Sequence, residues 1–228
     1  MRAKDDLAAA ATPPDLAAPE FAATVFGAAE VKARLYADLL TTAGVERGLL
    51  GPQEASRVWS RHLFNCAAAA EFVPEVGSVA DLGSGAGLPG VVLSLLRPQT
   101  DVLLIEPKLR RADFLHEVVG RLGLERTTVL RSRAEDVPGT FLRQFDVVAV
   151  RALAPLYRLV PMAMPLLRPG GRLVAIKGAR AEAELASAGA DLRRSGARDA
   201  RLHTVTAPWL TPPAVIITTV AGRGGPPL

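Results

Sequence analysis

The chain predicts an α/β fold: a doubly wound parallel sheet of seven strands preceded by a helical N-terminal extension. Three observations carry that expectation. Short apolar runs alternate with helix-periodic stretches at the spacing of βα units. A glycine-dense turn, Asp81-Leu82-Gly83-Ser84-Gly85-Ala86-Gly87, directly follows the first of those runs. The last two runs are separated by residues 207–213 alone, too short for a crossover helix, so they pair as an antiparallel hairpin.

Taken in order, residues 1–19 are rich in Ala and Pro with scattered acids and read as a disordered leader. Residues 20–74 form the extension. From Glu20 to about Gly44 the chain reads as helix, with Val31, Leu35 and Leu39 on one face and Gly44 as its C-cap. Residues 48–52 make a loop, and a second helix runs from Glu54 to about Phe72. The sheet domain spans 75–221, with strands over 77–82, 101–106, 127–131, 145–150, 171–177, 201–206 and 214–220. Helices are expected over 89–97, 108–122, 155–167 and 180–195. Pro89 suits a first helical position, where its missing N–H would have had no partner. Residues 222–228 are a flexible Gly/Pro tail.

With 228 residues, 24.0 kDa and 49% hydrophobic content, the chain has material for one such domain and its extension. No apolar run reaches the ~18 residues of a membrane span. The opening Met1-Arg2-Ala3-Lys4-Asp5-Asp6 places acids where a signal peptide would be basic and then apolar. A single cysteine, Cys66, excludes an internal disulfide framework and fits a reducing cytoplasm. Net charge is only +4 although the pI is about 9.7. The excess of base is local: residues 108–133 hold Lys108, Arg110, Arg111, Arg121, Arg126, Arg131 and Arg133 against Asp113, Glu117 and Glu125. Such a stripe suits a polyanion, although a solvated arginine-rich face would show the same charge.

The glycine turn carries the chemistry. Gly83, Gly85 and Gly87 strip side chains from a strand-to-helix turn, so a ligand can lie against backbone at a helix N-terminus. Two registers compete. Gly85-Ala86-Gly87-Leu88-Pro89-Gly90 satisfies the dinucleotide fingerprint, with Glu106 about twenty residues on. Directly after the strand, however, the pattern is Asp-x-Gly-x-Gly-x-Gly. Asp81 would repel a pyrophosphate, whereas it suits the cationic amino-acid end of S-adenosylmethionine (SAM). SAM is therefore the expected cofactor, with a dinucleotide as the alternative.

In an open sheet the ligand sits beyond the carboxyl ends of the strands. Glu106 ends the second strand and is placed to accept ribose hydroxyls, or is a surface acid. Ala134-Glu135-Asp136 follows the third strand and frames the adenine, or merely starts a helix. Arg151 follows the fourth strand as a candidate cofactor contact and positioning group, and Lys177 ends the fifth as a candidate phosphate contact. No Asn/Asp-Pro-Pro-Tyr run is present, so the clamp of exocyclic-amine methylation is absent. Cys66 follows Asn65 and lies in the extension, which argues against a cysteine nucleophile. His62 and Cys66, four apart, share a helix face without further clustered ligands, so no metal is expected. No general base stands out, which favours an acceptor already carrying a free lone pair. Guanine N7 is such an atom.

Several segments together resemble the bacterial small-subunit (16S) ribosomal RNA guanine-N7 methyltransferases, the glucose-inhibited division protein B family. They are Arg61-His62, residues 81–90, residues 108–115, Ser132-Arg133-Ala134-Glu135, Val150-Arg151-Ala152 and Lys177-Gly178. The resemblance runs from about Trp59 to Lys177 and more weakly through the last hairpin. It implies a class I methyltransferase sheet and SAM contacts at Gly83, Leu88, Ala134, Glu135 and Arg151. It also implies a guanine in the decoding-region loop of 16S rRNA as acceptor, presented as RNA or as a small-subunit assembly intermediate. Arg61, His62, Lys108, Arg110 and Arg111 are then expected to face RNA. Asn65-Cys66 departs from the Asp-Ser found in many members. With no coiled-coil heptads, a monomer is expected. A SAM enzyme with another acceptor and a silent RNA-binding module are the remaining alternatives.

Overall fold

The computed structural model describes residues 18–222. Seven strands make one sheet: β1 (Val76–Leu82), β2 (Gln99–Ile105), β3 (Thr127–Leu130), β4 (Phe145–Arg151), β5 (Leu167–Lys177), β6 (Ala197–Val205) and β7 (Ala214–Ala221). Their order is β3-β2-β1-β4-β5-β7-β6, parallel from β3 to β5, with β7 antiparallel to both β5 and β6. The chain winds outward from β1 through β2 to β3, then returns to the other side at β4. Asp81 lies at that switch point, in register with Leu104 of β2 and Ala149 of β4. Such a reversal opens a crevice at the carboxyl ends of the strands.

Both faces of the sheet are covered, which is why its central strands read as unbroken apolar runs. Val79, Val102, Leu104, Val147 and Val174 pack against the extension and the helices Gly90–Leu96 and Leu109–Leu122. Ala80, Leu82, Leu103, Val148 and Val150 pack against Leu156–Ala163, Ala181–Ser187 and Gly189–Arg194. The helix expected over 155–167 stops at Ala163, where Pro165 follows and a tighter turn, Met164–Leu166, leads into β5. The one expected over 180–195 divides at Ala188.

The extension departs further from expectation. In place of one helix to Gly44, the helix Ala22–Phe26 ends at Gly27, in left-handed conformation at φ +50, and a second helix occupies Glu30–Thr41. Thr42 ends that helix by turning its hydroxyl back to the Asp38 carbonyl at 2.6 Å, so Gly44 sits in a following turn (Ala43–Glu46) and is no C-cap. The buried face is Ala33, Tyr36, Ala37, Leu39 and Leu40, and Val31 is 79% exposed. The second helix is likewise broken, into the turn Pro52–Ala55, a wide π-helical segment Val58–Phe64, Asn65–Ala67 and a tight turn Ala68–Phe72.

Residues 1–17 of the expected leader and 223–228 of the expected tail lie outside the described residues. Ala18 and Pro19 open the short turn Ala18–Phe21, and the Gly222 amide donates to the Gly196 carbonyl at 2.9 Å. Among the described residues, no helix is long and apolar enough to cross a membrane.

Candidate active site

The glycines of the turn after β1 serve three different ends. Gly85, at φ +59, has open space where a Cβ would project, its nearest neighbour being the Gly83 carbonyl at 3.9 Å. A Cβ on Gly87 (φ +101) would meet Val91 at 2.6 Å and the Tyr36 hydroxyl at 2.8 Å, so this glycine admits the extension to the turn. Tyr36 is fully buried and donates to the Ala86 carbonyl at 2.8 Å; burial holds its phenol well above the usual range. A Cβ on Gly83 (φ +76) would lie 2.6 Å from Leu153, whose side chain covers that part of the turn. Gly90 has no room for a side chain either: a Cβ would strike Leu104 and the Asp81 carboxylate. Of the three glycines in the turn, it is therefore Gly85 that offers bare backbone to open space.

Two carboxylates brace the turn. Asp81 is fully buried, and its Oδ2 accepts the Gly90 amide at 2.9 Å, fastening the helix start to the end of β1. Its Oδ1 is buried without a hydrogen-bond partner. Burial pushes its carboxyl up to about 7, the neighbouring Glu106 adds to the rise, and the Gly90 amide opposes it. Glu106, 2% exposed, accepts the Gly85 amide at 3.0 Å and the Lys108 amide at 3.0 Å through its two oxygens, with Arg111 at 3.7 Å. It is thus no surface acid, but a buried clamp joining the turn to the N-terminus of Leu109–Leu122. An orphaned buried acceptor at the end of β1, with open glycine backbone in the turn that follows, fits a polar cofactor with a cationic end.

Arg151, at the end of β4, is gripped by the extension. Its Nη2 donates to the Arg61 carbonyl at 3.1 Å and to His62 Nδ1 at 2.8 Å. His62 is buried, and its Nε2 lies 3.0 Å from Glu54 Oε2. Burial and the Arg151 charge lower its pKa to about 4. Cys66, also buried, has its thiol pushed up to about 11 by burial, against the pull of Arg151.

The remaining expected residues are placed unequally. Lys108 and Arg110 are exposed at the start of Leu109–Leu122, and Arg111 is half-buried beside Glu106. Glu135 is exposed and Ala134 half-buried in the short turn Ala134–Asp136 after β3. Leu88 is buried, its amide bound to the Ser84 carbonyl at 3.1 Å. Two expectations need correction. His62 is not on an RNA-facing surface, because its ring is enclosed between Glu54 and Arg151, while Arg61 is exposed and pairs with Glu54 at 2.9 Å. The Lys177 ammonium is not free for a phosphate: it donates to Glu184 and to the Ala154 carbonyl, each at 2.8 Å, with its side chain 8% exposed. It pins the loop after β4. Leu153, Tyr36 and Glu54 carry no sequence signal: a leucine just after Arg151 and an acid eight residues before His62 belong to no motif of their own. A cavity of about 800 Å³ elsewhere, lined by Phe26, Lys32, Arg97 and Arg126 among others, contains none of these groups.

The strand order, the terminal hairpin and the acid-plus-glycine turn at the switch point define a class I SAM-dependent methyltransferase. A predicted O-methyltransferase of Agrobacterium tumefaciens shares the fold, with a TM-score of 0.55 and 20% identity, covering 69% of this chain and 80% of that one. TYW2 of M. jannaschii, solved in complex with AdoMet, aligns with a TM-score of 0.56 at 15% identity, covering 71% and 76%. A family model described as rRNA small subunit methyltransferase G matches residues 29–210. Relatives named ribosomal RNA small subunit methyltransferase G include one from Streptomyces avermitilis, 48% identical over 215 residues (94% of this chain, 89% of the relative). Another, from Mycolicibacterium paratuberculosis, is 48% identical over 212 residues (92% and 84%). The chain belongs to the rRNA small subunit methyltransferase G family, and SAM is its cofactor.

Proposed function

We propose that the protein methylates N7 of one guanine in the decoding-region loop of 16S rRNA, acting as a monomer on RNA or on a small-subunit assembly intermediate. Family membership across residues 29–210 supports the RNA. One observation carries the choice of atom: the imidazole beside Arg151 has its lone pair already taken. His62 Nδ1 accepts from the Arg151 guanidinium at 2.8 Å, and burial with the Arg151 charge lowers its pKa to about 4, so it is no base for a substrate proton. Cys66, with its thiol pushed up to about 11, is no nucleophile at neutral pH. An acceptor that brings its own lone pair, as guanine N7 does, needs neither.

Asp81, Gly83, Gly85, Leu88, Glu106, Ala134, Glu135 and Arg151 would hold the cofactor. Bound SAM supplies a methyl group activated by its sulfonium. The protein contributes orientation and exclusion of water, which together account for ~7–11 kcal/mol in well-aligned reactions. A cation beside Asp81 Oδ1 would draw that half-ionised carboxyl into its charged form. Glu106 keeps the turn and the helix at fixed separation. Lys108, Arg110 and Arg61 present charge to the RNA backbone. Mass mapping of 16S rRNA from a strain lacking the gene tests the reading. Loss of one methyl from that loop, restored by this chain, is expected; an unchanged pattern overturns it.

A further inference from the structure

We infer that the groove beside Tyr157 is a second RNA subsite. It takes an unpaired nucleotide flanking the target guanine, with the base stacked on the Tyr157 ring and a phosphate met by Arg180. The inference rests on the function proposed above, in that the substrate is RNA.

Tyr157 is 46% exposed, and among the described residues it is the one aromatic side chain in that class. A single exposed apolar group needs no explanation, but this one lines a groove of about 320 Å³ whose other walls include Pro155, Arg180, Ala183 and Ser187. That volume lies within the range of small-ligand sites. The Arg158 guanidinium stands 5.5 Å from the Tyr157 ring centroid, and ring surface remains for a base. Arg158 and Arg180 are both exposed, and neither pairs with an acid among the described residues. By contrast, Arg121 and Arg126 of the basic stripe are neutralised by Glu117 at 3.6 Å and Asp101 at 2.9 Å. Uncompensated guanidinium charge beside an aromatic face is what a single strand requires, the charge following its backbone and the ring taking its base. The acid in the groove, Glu184, is itself occupied: its Oε2 accepts the Lys177 ammonium at 2.8 Å and the Leu156 amide at 3.1 Å.

The fold puts this groove on the side where substrate enters. Arg151 ends β4, and Pro155, four residues on, begins the groove wall; Arg180 follows the end of β5 by three residues. Both are carboxyl ends of parallel strands, where the crevice opens. The glycine turn and Glu106 belong to the ends of β1 and β2, so the groove continues the crevice on the other side of β4. Its wall is also fixed. Lys177 holds the Ala154 carbonyl at 2.8 Å and Glu184 holds the Leu156 amide, so the backbone is pinned on both sides of Pro155. Tyr157 therefore stands on a pre-ordered support, and a base stacked there costs little additional ordering. Enzymes that act on an unpaired base select it in part through the nucleotides flanking it.

The test measures binding of the full-length, SAM-loaded protein to small-subunit RNA from a strain lacking the gene, alongside methylation of that RNA. Tyr157→Ala should raise Kd for the RNA on the order of 10-fold, the loss of one stacked base. Tyr157→Phe keeps the ring and should stay within about twofold of the wild type. SAM affinity should hold in both, which shows that each variant is folded. Arg180→Ala should lower the salt slope of RNA binding by about one, whereas Arg121→Ala, already neutralised by Glu117, should leave it unchanged. Wild-type RNA affinity in Tyr157→Ala, a loss in Tyr157→Phe as deep as in Tyr157→Ala, or an unchanged slope in Arg180→Ala overturns the inference. Wild-type protein that binds the RNA with the expected variant effects yet leaves it unmethylated would remove the proposed function and keep the groove. Full methylation by the wild type with no effect of either tyrosine variant would do the reverse.

Discussion

Leu153 rests on Gly83, with its Cδ1 2.6 Å from where a Cβ of residue 83 would stand. The loop that delivers this leucine begins at Arg151 and passes through Ala152, a non-glycine residue in left-handed conformation at φ +52. Lys177 and Glu184 hold its far end, through the Ala154 carbonyl and the Leu156 amide. The end of β4 and the turn after β1 are therefore in contact through a side chain that is 40% exposed.

Leu153→Ala should accordingly bind SAM more tightly, because an apolar contact over Gly83 no longer has to yield. The gain should be on the order of 10-fold, at or below the free energy of burying one leucine. Isothermal calorimetry measures it; an unchanged or weaker affinity would mean that Leu153 does not compete with the cofactor.

Gly83→Asp and Gly90→Ala should fail in different ways. At Gly83 the left-handed backbone costs a side chain roughly 1–2 kcal/mol, and the new side chain must displace Leu153 and stand over the turn, so SAM binding is lost while the fold survives. At Gly90 the added methyl meets Leu104 and the Asp81 carboxylate, an overpacking that costs about 1–3 kcal/mol. Thermal melts and SAM titrations of both variants separate the two; normal SAM affinity in Gly83→Asp would make the turn scaffolding alone.

Asp81 sets a pH dependence with an unusual sign. Its folded pKa, about 7, lies above the ordinary 3.8. Between those values the native protein holds a proton that the unfolded chain has released. Unfolding free energy therefore falls as pH rises from about 4 to 7. Asp81→Asn should be more stable than the wild type at pH 8, by something on the order of 4 kcal/mol, with the gap closing toward pH 4. Its SAM affinity should nevertheless be weaker at pH 8, because the carboxylate charge is gone. Melting temperatures that differ equally at both pH values would remove Asp81 as the cause.

The parts legible in the sequence are those where a local pattern and the tertiary structure ask for the same residue. Val79, Ala80 and Leu82 read as a buried strand because both faces of β1 are covered, and Glu106 was legible because a strand end carries it to the switch point. Val31 misled because apolar spacing says which residues share a face, not which face turns inward. The inner one carries Tyr36, whose hydroxyl reaches the Ala86 carbonyl. His62 and Lys177 looked like surface cations since their partners, Glu54, Arg151 and Glu184, are chosen by chain folding. Leu153 gave no signal, as its role depends on a neighbour seventy residues away.

Arg110 and Arg111 should separate where the sequence treats them alike. Arg110 is exposed, so Arg110→Glu should weaken RNA binding and lower the salt slope by about one, with SAM affinity unchanged. Arg111 lies 3.7 Å from Glu106, so Arg111→Glu sets two carboxylates together and should also weaken SAM binding. Filter binding across a salt series, with parallel SAM titrations, checks both; identical profiles would contradict the division.

Incubating the purified protein with methyl-labelled SAM and small ribosomal subunits from a strain lacking the gene, then digesting the RNA for mass spectrometry, addresses the central claim most directly. The account predicts label as N7-methylguanosine at one position of the decoding-region loop. Label on another atom, or RNA left unmethylated by protein that binds SAM, would contradict it.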